Sequence, residues 1–350
     1  MNQLADDTIQ RWISNGDVNT LLDISMLSLY ELPSLPANVR RLDISSNNIS
    51  IIRASELPDS LTELTCKYNG LETIEKLPPN LATLDCTWNR MKTLPNIPAS
   101  LVMLFCSHNQ LRTLPEPPPL SNLRTLLCGN NRLMYLPALD SIQCLGAEFN
   151  NICVFPKCGP DTYFIGLGYN CIELIPDTLP PRMTEIVLTK NNVKTIDNVR
   201  FPEGLITLTI SENPITELPA NLPNSIKILR CDQMRLSSLP DTLPTALTIL
   251  HFAHNPITEI PDTLDERCPK LEAMWCKGAR LMRDNPTTGS PRKFIIELIR
   301  LQRLQAKHRN VTRTKIYKEE LVQLVWHPHR LVRMWFSNGL DFEDFVFCYD

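Results

Sequence analysis

The chain has 350 residues, a formal net charge of -3 and 12 cysteines. That charge argues against a strong general attraction to nucleic acid or anionic membrane. No run approaches the roughly 18 apolar residues of a membrane span, and the opening MNQLADDTIQRW lacks the basic-then-apolar order of a secretory signal.

Residues 1–19 read as an N-terminal cap. Leu4, Ile9, Trp12 and Ile13 predict one face of a short helix ending near Gly16. An array of repeats has an open apolar end, and an atypical segment must cover it.

From residue 20 to residue 282 one unit recurs. Aligned on its second leucine, the copies begin at Leu22, Leu42, Leu64, Leu84, Leu104, Leu126, Leu145, Ile165, Ile186, Leu208, Leu229, Leu250 and Met274, 13 units spaced 19 to 24 residues apart. The pattern Leu-x-x-Leu-x-Leu-x-x-Asn-x-Leu-x-x-Leu is the leucine-rich repeat. The alternation at Leu84, Asp85 and Cys86 predicts a short strand with one face buried. Cys66, Cys86, Cys106, Cys128, Cys231 and Cys276 share one apolar slot of the unit, where free cysteine acts as a small hydrophobe. This placement argues for a reducing compartment, not a disulfide framework.

An asparagine recurs at Asn47, Asn69, Asn89, Asn109, Asn131, Asn150, Asn170, Asn191, Asn213 and Asn255. Its side chain is expected to satisfy backbone groups where the chain turns away from the strand, a structural ladder and not a ligand site. Leu27, Met234 and Ala279 replace it in three units. The second half of most units carries Leu-Pro, as at Leu57-Pro58, Leu77-Pro78, Leu114-Pro115 and Leu218-Pro219. Proline fixes φ and supplies no N–H, so this side is expected to be extended and polyproline-II-like, not helical. The predicted fold is an α/β repeat solenoid: a leucine-rich repeat horseshoe with a concave parallel sheet, an extended convex side and a helical C-terminal cap.

The short unit with Leu-Pro after the Asn-x-Leu segment resembles the LPX-type leucine-rich repeat proteins, among them secreted bacterial effectors of the YopM and IpaH kind. The resemblance implies a role at a host–pathogen interface. Some of those effectors carry a ubiquitin-ligase domain of several hundred residues after the repeats. Only about 70 residues follow the repeats here, so the resemblance implies repeats without that domain. The terminal Cys348-Tyr349-Asp350 looks like that family's catalytic Cys-x-Asp and is read as coincidence, since no surrounding domain supports it.

Residues 283–350 form a basic tail. From Arg280 to Arg333 there are 13 Lys or Arg against 4 Asp or Glu. Ser290 and Pro291 are helix-start signals. Phe294, Ile295, Leu298, Ile299, Leu301 and Leu304 make an apolar stripe, while Arg292, Lys293, Arg300, Arg303 and Lys307 decorate the rest. A second helix is expected over residues 315–325, ending before His327-Pro328. The tail has two readings: a cap over the last repeat, or an electrostatic site for nucleic acid or another anionic surface. Its Trp326-His327-Pro328-His329-Arg330 segment resembles a C-terminal segment of leucine-rich repeat proteins from giant DNA viruses of the mimivirus type. That likeness implies action in a host cell's cytoplasm.

Functional candidates are residues the core does not need. The position just before the Asn holds Tyr68, Trp88, His108, Phe149 and Tyr169 in five of six consecutive units. Met103, Phe105, Leu127 and Phe164 occupy nearby strand positions. Parallel strands lie about 4.8 Å apart, so these residues form one stripe. It is read as a partner-binding stripe; the competing reading is rings stacked on one another to shield the Asn ladder. Lys190, Glu212, Arg230, Asp232, His251 and His254 make the later face mixed and polar. The pairs His251/His254 and His327/His329 lack a zinc-ligand set. Gly-Lys-Ser or Gly-Lys-Thr phosphate loops and serine nucleophile elbows are absent. The expectation is a non-enzymatic, cytoplasmic protein-interaction scaffold without cofactor or metal; the alternative is nucleic-acid or anionic-surface binding through the basic tail.

Overall fold

A computed structural model of the chain describes residues 3–115, 120, 122–276, 299–300 and 302. These fall into two compact units that divide between Ile215 and Thr216.

The first unit opens with helix α1, Gln3–Asn15, closed by Gly16 at φ +72, a left-handed helix-ending conformation that glycine adopts without a Cβ clash. Ala5, Ile9 and Trp12 are buried, and the Trp12 indole N–H donates to the Thr20 carbonyl at 2.9 Å. Leu4 and Ile13, expected on the buried face, are 60% and 46% exposed. Each residue turns a helix by about 100°, which places Ala5, Ile9 and Trp12 on one narrow stripe and swings Leu4 and Ile13 to its flanks.

Beyond α1 the first unit repeats a strand of two or three residues and an irregular return. The strands are β1 (Leu22–Asp23), β2 (Arg41–Asp43), β3 (Ile51–Ile52), β4 (Glu63–Thr65), β5 (Thr73–Ile74), β6 (Thr83–Asp85), β7 (Met103–Phe105), β8 (Thr125–Leu127), β9 (Cys144–Gly146), β10 (Phe164–Gly166), β11 (Glu185–Val187) and β12 (Thr207–Thr209). All but β3 and β5 belong to one parallel sheet, in chain order. The register aligns the repeat leucines: Leu22 with Leu42, Leu42 with Leu64, Leu64 with Leu84, and so on to Ile186 with Leu208. Strands β3 and β5 pair with each other in the return halves, where Leu139–Cys158 and Thr178–Arg200 also form bridges. The return side is thus extended, with local parallel pairing added.

One repeat shows what holds the stack. Leu61, Leu64, Cys66, Leu71 and Ile74 are at most 2% exposed, each lying on its counterparts in the adjacent repeats. Burying such a side chain contributes about 1.5–3 kcal/mol. The thiols are part of this core, and burial pushes Cys86 up to about 12 and Cys66 well above the ordinary thiol value. Both are free, and burial favours their protonated form.

The second unit contains β13 (Ile228–Arg230), β14 (Ile249–His251), the short helix α2 (Leu264–Arg267) and β15 (Ala273–Trp275), with the three strands parallel and Leu229, Leu250 and Met274 in register. Ile299 is buried. The Gln302 amide, oriented by its surroundings, pairs with both backbone groups of Ile260 at 3.1 and 3.0 Å. Arg300 is exposed. Arg292, Lys293, Arg303, Lys307, the residues 315–325 helix and Cys348 lie outside the described residues. Among the described residues no helix is long and apolar enough to cross a membrane.

Candidate functional site

Each strand ends in the same backbone device. The residue before the Asn has φ between 51 and 59 from Met26 through His254, a left-handed conformation at non-glycine residues. Such a conformation costs roughly 1–2 kcal/mol per residue. Val, Ile and Thr are absent from these positions, as the sterics of this region require.

Two sets of hydrogen bonds hold the kink. Along the backbone, Tyr68 N–H donates to Thr87 O at 3.0 Å, Trp88 N–H to Ser107 O at 3.0 Å and His108 N–H to Gly129 O at 2.9 Å. Parallel pairing therefore continues past the formal strand into the edge row. The asparagine side chains bind the other side. Asn89 Oδ1 accepts from Leu71 N–H at 3.0 Å, and its Nδ2 donates to Cys66 O and Cys86 O, each at 3.0 Å. Asn109, Asn150, Asn170, Asn191 and Asn213 repeat this in buried positions, Asn69 and Asn131 in half-buried ones. Where the Asn is replaced, the Asn of the next repeat accepts a second backbone N–H. Asn47 Oδ1 accepts from both Leu27 and Leu29, and Asn255 Oδ1 from both Met234 and Leu236.

On this frame the edge side chains pile up. Tyr68 stacks on Trp88 with centroids 5.7 Å apart, and Trp88 on His108 at 3.7 Å. Phe149 stacks on Tyr169 at 4.1 Å, and the Lys190 ammonium lies 5.0 Å from the Tyr169 ring centre. The rings still face solvent: Tyr68 is 52%, Trp88 46%, Phe149 48% and Tyr169 37% exposed. Stacking and exposure therefore coexist. Desolvation lowers the His108 pKa from 6.5. On the adjoining sheet face Met103 is exposed and Phe105, Leu127 and Phe164 are half-buried; Phe105 sits across from Leu127 in the register.

Sequence reasoning missed Glu148. Its carboxylate lies on the sheet face against Gly129, Gly146 and Gly166, and a Cβ at Gly166 would run into Oε1. Burial raises the Glu148 pKa from 4.5. The clustering of four of the chain's glycines at 129, 146, 166 and 168 was the available signal. In the second unit, His251 stacks on the half-exposed Trp275 at 4.0 Å, with Nδ1 3.7 Å from Asp232 Oδ2. Desolvation lowers the His251 pKa despite that carboxylate. Among the described residues no three His, Cys, Asp or Glu side chains are grouped to hold a metal ion.

Register, core and asparagine ladder define a leucine-rich repeat solenoid. No protein-family model matches the chain, and no curated protein matches it by sequence. Among solved structures it is similar to YopM from Yersinia pestis, at 25% identity and TM-score 0.68 over 79% of this chain and 82% of that one. YopM from Yersinia enterocolitica WA-314 matches at 25% identity and TM-score 0.57, over 79% and 68%. The complex of Latrophilin 3, Unc5D and FLRT2, whose FLRT2 component is a leucine-rich repeat, matches at 16% identity and TM-score 0.51 over 71% and 78%.

Proposed function

We propose that the chain is a non-enzymatic protein-interaction scaffold that holds a partner on the open face of its sheet, anchored by Tyr68, Trp88, Met103, Phe105, His108, Leu127, Phe149, Phe164 and Tyr169. The observation that carries this reading is the edge row: rings held in register by backbone hydrogen bonds, yet about half exposed. Pre-positioned Tyr and Trp side chains lose little entropy on binding and are favoured anchors. The FLRT2 repeat provides an instance of the fold in a multiprotein complex. The LPX-type motif and the likeness to YopM, a leucine-rich effector protein, favour a host-directed role in a host cell's cytoplasm, as does the viral resemblance of the tail.

The test is affinity capture from cell lysate with the full chain and its Tyr68→Ala, Trp88→Ala, Phe149→Ala variant, checked for intact folding. A partner held by the wild type and lost by the variant supports the reading. Equal capture by both sinks it and turns attention to the basic tail, where steep weakening with salt would mark phosphate contacts.

A further inference from the structure

The row of rings is interrupted once. Tyr68, Trp88 and His108 form one pile, Phe149, Tyr169 and Lys190 another, and between them stands Asn130, exposed and without a ring. The backbone does not change there: Asn130 keeps φ 54 and donates to Glu148 O at 2.8 Å. The spacing of repeats is therefore preserved, and two intervals of about 4.8 Å each separate the residues carrying the His108 and Phe149 rings. Stacked atoms need about 3.5–4.0 Å. Two such intervals, about 9.6 Å, exceed the roughly 7–8 Å that one planar group stacked on both rings needs, so the gap takes one once the short Asn130 side chain turns aside.

The floor beside this gap is unusual. Gly129, Gly146 and Gly166 leave the sheet bare, and the Glu148 carboxylate lies across it. Oε2 comes within 3.5 Å of the point where a Gly129 Cβ would stand and 3.3 Å of that at Gly146. Leu127 borders it, as does the Phe164 ring, 3.2 Å from the Cβ position of Gly166. Among the described residues no cation pairs with this carboxylate, and desolvation raises its pKa. Charge over the same face agrees. From the Leu64 repeat to the Leu208 repeat, setting aside Glu63, which pairs with Arg41, acids (Asp85, Glu148, Glu185, Glu212) outnumber bases (Lys67, Lys190).

We propose that this notch, walled by His108 and Phe149 and floored by Gly129, Gly146 and the Glu148 carboxylate, receives an arginine side chain of the protein partner. The inference rests on the scaffold reading and names the partner's chemistry at one point of that surface. A guanidinium is planar, stacks on aromatic faces and pairs bidentately with a carboxylate, so its chemistry suits both the walls and the floor. Lys190 above Tyr169 shows that the far end of the same pile already takes a cation. An apolar side chain would desolvate Glu148 further without pairing it.

Capped pentapeptides Ala-Ala-Arg-Ala-Ala, with lysine or citrulline in place of arginine, serve as probes. They are titrated into the isotope-labelled full chain while the backbone amides of Gly129, Gly146 and Gly166 are followed by NMR. The arginine peptide is expected to shift these amides saturably. Citrulline, which keeps the shape without the charge, and Glu148→Gln are each expected to weaken binding by about tenfold or more. Asn130→Phe, which puts a ring in the gap, is expected to abolish it with the fold intact. Equal binding of the citrulline peptide, or by Glu148→Gln, overturns the proposal; equal binding of lysine overturns the planar slot. Partner capture separates the two readings. Capture that survives Glu148→Gln but not loss of the rings rejects the arginine notch and leaves the scaffold standing. Capture unaffected by either variant rejects both.

Discussion

The indole of Trp88 and the imidazole of His108 stack with centroids 3.7 Å apart and planes 8° from parallel. Their carriers sit one strand spacing apart, about 4.8 Å, so the rings lean together to close the difference. Contact on this face desolvates the imidazole and favours its neutral form.

Acid should therefore loosen the pile. A histidine whose folded pKa lies below its ordinary 6.5 contributes stability that is complete above that value and lost as pH falls through the depressed one. Wild type should lose more stability than His108→Gln between about pH 7.5 and about pH 5, measured by urea midpoints. Parallel losses in the two proteins would show that the imidazole is not the responsive group.

Trp88→Asn keeps a residue tolerant of the left-handed backbone and removes the ring. Partner affinity should fall by about 2 kcal/mol or more. Stability should change by only about 1 kcal/mol, the worth of lost stacking at a half-exposed site. Calorimetric binding and denaturant unfolding read the two numbers separately. A large loss of stability with affinity unchanged would make the ring a structural prop.

Asn89→Ala should cost about 1–3 kcal/mol, because Leu71 N–H loses its buried acceptor, while the Cys66 and Cys86 carbonyls each keep one donor, Asn69 and Asn109. Asn131→Ala should cost visibly less. It makes the equivalent bonds to Leu111, Cys106 and Cys128, but from a half-buried position that water can enter. Equal unfolding free energies for the two variants would contradict this ranking.

Glu148→Gln should raise the melting temperature at neutral pH. The folded pKa of Glu148 lies above its ordinary 4.5, so its stabilising influence is complete below that value and disappears as pH rises past the folded one. The gain from glutamine should accordingly shrink to nothing below about pH 4. A pH-independent difference between the two melting curves would refute the desolvated carboxylate.

Two glycines separate two kinds of crowding. A Cβ on Gly159 would overlap the Asp140 carbonyl, which is backbone and cannot step aside, so Gly159→Ala should cost about 2–3 kcal/mol. At Gly166 the obstacle is the free end of the Glu148 side chain, and Gly166→Ala should cost less than about 1 kcal/mol. Unfolding free energies in the reverse order would show that the close approach at Gly159 is relieved elsewhere.

The sequence alone determined the period, the register and the ladder. Leu22, Leu42, Leu64 and their successors align in the strands because a parallel stack can bury its leucines in only one register. Asparagines recur because each turn leaves the same backbone groups to satisfy. Only the tertiary structure decided which faces those elements present. Packing against β1 selected Ala5, Ile9 and Trp12 over Leu4 and Ile13, since the flank of a short helix is settled by what it lies on. Tertiary placement also showed that the edge rings both stack and face water, and that Glu148 lies over glycines from neighbouring repeats. Such relationships join residues about 20 positions apart, and no local pattern in a single repeat encodes them.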